Sequence, residues 1–140
     1  MKKFTTIDAN EAVARVAMGA NDSQTLKAFV ETEAYDGVSI IIAYSHCIAH
    51  GYDLKYGRKQ QKKAVECGLW PLMRYNPEYI KEGKTPMSLD YKEPKLDVKE
   101  YMYNEARFKM VEKMNPQSAK EFLETASFHA KEMYNRYKNL

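Results

Sequence analysis

Cys47 stands between His46 and His50 in the stretch 38–51, Val-Ser-Ile-Ile-Ile-Ala-Tyr-Ser-His-Cys-Ile-Ala-His-Gly. A thiolate and two imidazoles within five positions are the strongest concentration of soft ligands in the chain. Zinc accepts both donor types, so His46, Cys47 and His50 form one candidate metal set. Their spacing matches no common structural zinc pattern, and a fourth ligand is unassigned. Cys47 alone is the second candidate, as a single soft sulfur ligand. The third reading is a cysteine packed as a small hydrophobe. The other cysteine, Cys67, sits beside Gly68 at the end of a polar helix and reads as packing.

Other chemistry-like patterns are weaker. Lys55, Arg58, Lys59, Lys62 and Lys63 form the densest basic run. Only Tyr56 is interleaved with it, and a nucleic-acid surface would want more aromatics or a binding fold. A solvated helix face is the preferred reading, with docking of an acidic protein as the alternative. Gly83-Lys84-Thr85 imitates the end of a phosphate-binding loop, but Glu78 occupies the place of that motif's first glycine. No catalytic serine triad, paired carboxylates or dinucleotide turn stands out. His129 lies off the apolar stripe of its helix and should face solvent.

These side chains must be held by an ordinary globular core. The chain has 140 residues, 44% hydrophobic and 29% charged, which fits one domain and excludes disordered or fibrous classes. Its net charge of +3 is too mild to demand a polyanion. Two cysteines make no disulfide framework, no signal peptide opens the chain, and no apolar run approaches ~18 residues. A reducing cytoplasm is the expected compartment, with no membrane partner.

The Cys47 stretch opens as a charge-free, β-branched run, which predicts a strand over 38–44 buried on both faces of a parallel sheet. Cys47 then lies just past the strand's carboxyl end, where open α/β sheets bind ligands. Asp8 to Glu11 has capping-box spacing before Ala12, Val13, Val16 and Ala17, predicting a short helix from about residue 9. Asn21 or Asp22 caps a second helix, with Leu26, Phe29, Val30 and Ala34 on one face and Gly37 after its end. Residues 58–67 read as a polar helix. A strand over 69–75 contains Pro71, which predicts an edge or a bulge, and a short strand is expected around 87–89. Asp97 caps a helix carrying Val98, Tyr101, Met102, Phe108 and Val111. Asn115-Pro116 ends it and starts a last helix with Ala119, Phe122, Leu123, Ala126, Ala130, Met133 and Tyr137 as its stripe. The resulting class is α/β, a partial parallel sheet of two or three strands followed by a helical C-terminal tail. Sheets have about four to six strands, so the pattern reads as part of a larger α/β domain.

Five sequence words then carry a resemblance: Val-Ala-Met-Gly-Ala-Asn (16–21), Glu-Ala-Tyr-Asp-Gly (33–37), Ile-Ile-Ala-Tyr-Ser-His-Cys-Ile-Ala-His-Gly (41–51), Gly-Leu-Trp-Pro-Leu-Met-Arg-Tyr-Asn-Pro (68–77) and Tyr-Met-Tyr-Asn-Glu-Ala-Arg-Phe (101–108). In this order they resemble the C-terminal end of pyruvate:ferredoxin (flavodoxin) oxidoreductase in its long single-chain form. The resemblance implies a family that decarboxylates pyruvate oxidatively to acetyl-CoA, using thiamin diphosphate, Mg²⁺, coenzyme A and [4Fe–4S] clusters. Cys47 falls in the family's Tyr-Ser-x-Cys-Ile motif, whose cysteine is the last of four ligands of the cluster nearest the thiamin. The other three have no counterpart here. Of the family's Gly-Asp-Gly thiamin motif there is only Asp36-Gly37, without the preceding glycine and inside the Tyr-Asp-Gly word that lies downstream of that motif in the family, so no cofactor is expected on the isolated chain.

The resemblance also divides the chain. Residues 1–15 resemble the start of the same family's first domain, 16–93 a partial thiamin-diphosphate-binding-type domain, and 94–140 a helical tail. The word Val-Ala-Arg-Val-Ala (13–17) fits both the family's start and the strand that precedes Met-Gly-Ala-Asn near its end. Such a shared word is what an in-frame deletion between two similar segments would leave. The implied function is that of a fragment or split subunit, inactive alone. Its expected partners are other oxidoreductase chains or a second copy of itself, with ferredoxin or flavodoxin as an electron acceptor and no nucleic acid. Two other classes remain open: an interaction module packing through its tail, and a small metal- or nucleic-acid-binding protein.

Overall fold

A computed structural model describes residues 11–139. The beginning of the expected first helix, with its Asp8 cap, and most of the segment 1–15 lie outside the described residues. The strands are β1 (Ala12–Val16), β2 (Ser39–Ala43), β3 (Met73–Tyr75) and β4 (Met87–Leu89). The helices are α1 (Asp22–Ala34), α2 (Gly57–Glu66), α3 (Glu78–Lys81), α4 (Val98–Met102), α5 (Ala106–Met114) and α6 (Pro116–Lys138). The sheet runs β2-β1-β3-β4. β1 pairs parallel with β2, and both the β1–β3 and β3–β4 pairs are antiparallel. The α/β class stands, but the sheet is mixed and four-stranded, not a parallel one of two or three strands.

The segment from Ala12 is a strand, not a helix. β1 lies between β2 and β3, and Ala12, Val13, Ala14 and Val16 are all buried. A strand covered on both faces shows continuous apolarity, and a short apolar run carries no periodicity that separates strand from helix. Arg15 is tolerated because its guanidinium lies over the Trp70 ring at 4.1 Å.

β2 forms where expected and pairs parallel, yet among the described residues it is the sheet edge and its residues are mostly exposed. The same reversal holds for α1. Asn21 is its N-cap, accepting from the Gln24 amide, as the sequence suggests. The predicted apolar face points outward: Leu26, Phe29 and Val30 are 68%, 53% and 58% exposed, and Gln24, Thr25 and Ala28 face the sheet. Pro71 does not mark an edge either. It is fully buried just ahead of β3, an inner strand of the sheet. Since β3 begins only at Met73, Pro71 breaks no ladder hydrogen bond.

The last third divides differently from the sequence pattern. The stripe from Val98 to Val111 is split between α4 and α5 by a turn at 103–105. Asp97 caps α4 by accepting from the Lys99 amide, and Asn115 caps α6 by accepting from the Ser118 amide. α6 packs back on its own chain. Ala130 joins Ala64, Cys67, Val98, Tyr101 and Met102 in one buried cluster, and Tyr134 flanks a second formed by Ala17, Val65, Leu72 and Tyr91. Tyr44 and Trp70 touch both clusters. Gly68, at φ 82°, makes this possible, since a Cβ there would lie 2.6 Å from Pro94 Cγ and 3.3 Å from Ala130 Cβ. Among the described residues, no helix is long and apolar enough to cross a membrane.

Candidate functional site

β2 delivers the chain to a turn at its carboxyl end. Its last bond to the sheet is from the Tyr44 amide to Val16 O (2.9 Å), and the Tyr44 hydroxyl shares a 2.9 Å hydrogen bond with that of Tyr101. Cys47 follows, exposed, at the head of a short 3-10 turn, Ile48–His50. The turn closes through the His50 amide to Cys47 O and the Gly51 amide to Ile48 O, each at 3.1 Å. Gly51 has φ 72°, and a Cβ there would meet Ala106 Cβ at 2.5 Å. Both the backbone and the space therefore require glycine. The Ala106 amide donates to Gly51 O at 3.1 Å, tying the turn to the start of α5.

Glu105 sits beneath this turn and is completely buried. Gln60 Nε2 donates to Glu105 Oε1 at 2.9 Å, and Arg107 Nε donates to Oε2. His50 Nδ1 lies 3.9 Å from Oε1, too far for a hydrogen bond, and is itself buried. Gln60 also donates to Tyr101 O (3.1 Å), and its carbonyl accepts from Asn104 Nδ2 (3.2 Å). A buried carboxylate persists only when paired and hydrogen-bonded. Here those partners come from α2 and α5, so Glu105 locks both helices under the Cys47 turn.

His46 is held separately. Gln61 Oε1 accepts from the Gly19 amide at 2.6 Å, which turns Gln61 Nε2 toward His46 Nε2 at 3.2 Å. That pattern leaves Nδ1 to donate to the Tyr52 hydroxyl at 3.1 Å in the neutral ring. Both His46 nitrogens are thus engaged by protein. Among the described residues no three His, Cys, Asp or Glu side chains converge as a metal cluster. The three-ligand set His46, Cys47 and His50 is not assembled.

The basic run is a solvated face. Lys55 pairs with Asp53 at 2.9 Å and Lys62 with Glu66 at 3.8 Å, while Gln60, Gln61, Ala64 and Val65 turn inward from α2. His129 is exposed, as its position off the stripe implies. A cleft of about 660 Å³ between α2 and the segment after β4 includes none of His46, Cys47 and His50.

The two thiols are opposites. Cys67 is buried, its Sγ donates to Ala64 O at 3.5 Å, and desolvation pushes its pKa up to about 11. At pH 8 about one such thiol in a thousand is ionised, and only the thiolate is a nucleophile. Native protein treated with iodoacetamide is expected to gain a single adduct at Cys47, with Cys67 reacting only in denaturant. Comparable native rates at both positions, read by peptide mass spectrometry, would contradict this burial.

Glu105, Gln60 and Gln61 were missed by reasoning from residue types, because lone amides and carboxylates carry no spacing signature. The only trace was Glu105 inside the word Tyr-Met-Tyr-Asn-Glu-Ala-Arg-Phe.

No family model matches the chain. Among curated proteins it is 53% identical over 131 residues to the pyruvate-flavodoxin oxidoreductase of Trichormus variabilis, a match covering 94% of this chain and 11% of the relative. The chain is homologous to a segment of pyruvate-flavodoxin oxidoreductase. It is likewise 46% identical over 128 residues to the pyruvate:ferredoxin oxidoreductase of Moorella thermoacetica, covering 91% of this chain and 11% of that relative. The probable pyruvate-flavodoxin oxidoreductase of Escherichia coli is 38% identical over 123 residues, 88% of this chain and 10% of its own length. The chain thus spans about a tenth of the length of the oxidoreductases it matches.

Proposed function

We propose that this chain is one portion of a pyruvate-flavodoxin oxidoreductase-type enzyme, part of its thiamin-diphosphate-binding α/β unit. In this role it supplies Cys47 as one thiolate ligand of an iron–sulfur cluster whose other ligands lie outside these 140 residues. The observation that carries this is Cys47 itself. It is the exposed thiol of the pair, at the carboxyl end of a parallel strand, on a turn fixed by Gly51, Ala106 and Glu105. An accessible thiol fits cluster ligation, and the sealed Cys67 does not. When bound, the cluster supplies one-electron transfer. The residues of this chain keep the thiol at the surface and its backbone rigid.

Thiamin diphosphate and Mg²⁺ do not fit this chain alone. Asp36 is exposed on the connection entering β2, the end opposite the Cys47 turn, whereas parallel strands bind ligands at their carboxyl ends. The chain by itself is therefore inactive toward pyruvate in this reading.

The test is anaerobic reconstitution with a separately produced polypeptide carrying the remainder of a related oxidoreductase. Wild-type and Cys67→Ser complexes are expected to show equal iron content and brown visible absorbance. Cys47→Ser should lose most of the cluster that depends on this chain, since a serine oxygen is a poor ligand for iron that prefers thiolate. Equal cluster content in Cys47→Ser would remove Cys47 from the ligand set. Pyruvate-dependent dye reduction by the purified chain alone would overturn the partial-enzyme reading.

A further inference from the structure

We propose that His46 is the positioning residue of the Cys47 turn: its ring, clasped between Gln61 and Tyr52, fixes the backbone that presents the thiol to iron. This role rests on the reading of Cys47 as a cluster ligand. Cys47 is extended (φ −139°, ψ 128°), so its direction follows that of the residue before it. The last sheet bond upstream is from the Tyr44 amide, and the turn itself closes only downstream, from the His50 amide to Cys47 O. Between them this chain holds residues 45–47 through side chains. The Ser45 hydroxyl reaches only the neighbouring His46 O, at 3.3 Å. The anchor to the rest of the fold is the His46 ring.

That anchor has two ends. Gln61 Nε2 donates to His46 Nε2 at 3.2 Å, and His46 Nδ1 donates to the Tyr52 hydroxyl at 3.1 Å. Residues 46 and 52 bracket the turn, so the ring ties its entry to its exit, while the His50 amide closes it from within. Gln61 is itself fixed, because its Oε1 accepts from the Gly19 amide at 2.6 Å. Gly19 lies in the loop that leaves β1, the strand parallel to β2. One buried side chain of α2 therefore joins the loops at the carboxyl ends of both parallel strands, with His46 as the link.

Gly57 gives the ring its floor. A Cβ there would lie 2.6, 2.7 and 3.0 Å from Cε1, Nε2 and Nδ1 of His46. Gly57 has φ −54°, ordinary helical backbone, so the ring and not the chain path calls for glycine. A glycine at the start of a helix weakens it, which the seat for His46 explains. The clasp also keeps imidazole out of the coordination. A histidine ligates through a free ring nitrogen, and both nitrogens of His46 are engaged. The turn thus offers iron a sulfur without a competing nitrogen beside it.

Two measurements separate positioning from plain stability. In the chain alone, imidazole nitrogen NMR should show the neutral His46 locked in one tautomer, protonated at Nδ1 and bare at Nε2, while exposed His129 averages between tautomers. In the complex reconstituted with the remainder of a related oxidoreductase, iron release to a chelator reads how firmly Cys47 is held. Gly57→Ala keeps every hydrogen-bonding group and favours the helix, so the chain should melt no lower than wild type. It takes the space of the ring, so the tautomer lock should be lost and iron should leave about tenfold faster, the low end for a support of a metal ligand. Tyr52→Phe removes one of the two bonds and should speed release by about threefold. Cys47→Ser runs alongside. If it retains iron like wild type, the ligand reading fails and the positioning role falls with it. If it loses iron while Gly57→Ala and Tyr52→Phe release it at the wild-type rate, the ligand reading stands and the clasp is overturned. A wild-type His46 that averages between tautomers would overturn it too. So would a Gly57→Ala chain whose melting falls in step with its iron loss, since that is stability alone.

Discussion

Arg74→Met is expected to lower the stability of this chain by about 3 kcal/mol, seen as a fall in melting temperature of about 10 °C. Arg74 is a buried arginine in an inner strand, a placement that survives only if its charge is paired. Its Nε and Nη2 donate to the two oxygens of Asp90 at 2.7 and 2.8 Å, a bidentate fork, while Nη1 donates to Glu31. Asp90 follows β4 and Glu31 lies on α1, so one side chain of β3 ties a helix to the end of the neighbouring strand. Gln24 Nε2 adds a bond to Asp90 at 3.1 Å. The hydrogen-bonded Asp90 raises the Arg74 pKa above its ordinary value, against the opposing effect of burial. Methionine fills similar volume but leaves two mostly buried carboxylates facing each other without a counter-charge. Truncating one partner of such a network costs far more than the network is worth relative to an apolar replacement. The triple variant Arg74→Met/Glu31→Gln/Asp90→Asn should therefore recover part of the loss. Urea denaturation of the single and triple variants measures both. A single variant within about 0.5 kcal/mol of wild type would show that water, not protein, solvates these carboxylates.

Where sequence and structure agree, the information is local. Asn21, Asp97 and Asn115 cap helices because a short polar side chain can reach a free amide two or three positions on, and nothing distant is needed. Gly68 ends α2, and β4 falls at 87–89 between turn residues, for equally local reasons. Where they part, the missing information is the strand order. Ile40, Ile41 and Ile42 correctly specify a parallel strand, but no residue in the run says that only one side is paired among the described residues. The exposed stripe of Leu26, Phe29 and Val30 is the same effect on a helix: the amphipathic pattern is present, and the surface it faces is not in this fold. β1 fails for the opposite reason. It is short, Ala-rich and buried on both sides, so its pattern holds no period to read. The site shows both behaviours. Cys47 was legible because a thiol flanked by histidines is a rare composition. Its support was not, since Gln60, Gln61 and Glu105 come from helices whose meeting is set by the whole core.

Glu105 accounts for the second large expected effect. Glu105→Ala should cost about 2–3 kcal/mol, because it leaves one of the two buried Gln60 N–H groups without its acceptor and removes the carboxylate that Arg107 pairs with. The distinctive consequence is local. The Cys47 turn rests on α5 through a single main-chain bond, Ala106 N–H to Gly51 O, and through the close contact of Gly51 with Ala106. Glu105 is the N-cap residue of that helix; its side chain makes no cap bond to the backbone and instead ties the helix start to Gln60 of α2 and to Arg107. Freeing it should loosen the adjoining turn more than the sheet. Hydrogen exchange at pH 7 is the appropriate measurement, since it resolves local opening from global unfolding. In Glu105→Ala the amides of His50, Gly51 and Ala106 should lose protection by a larger factor than those of β1 and β3. Glu105→Gln keeps the shape and an acceptor for one donor but loses the charge, so its effects should fall between alanine and wild type. A uniform loss of protection across the chain would mean that Glu105 stabilises the fold without governing the turn. The rigidity of the Cys47 backbone would then come from Gly51 alone.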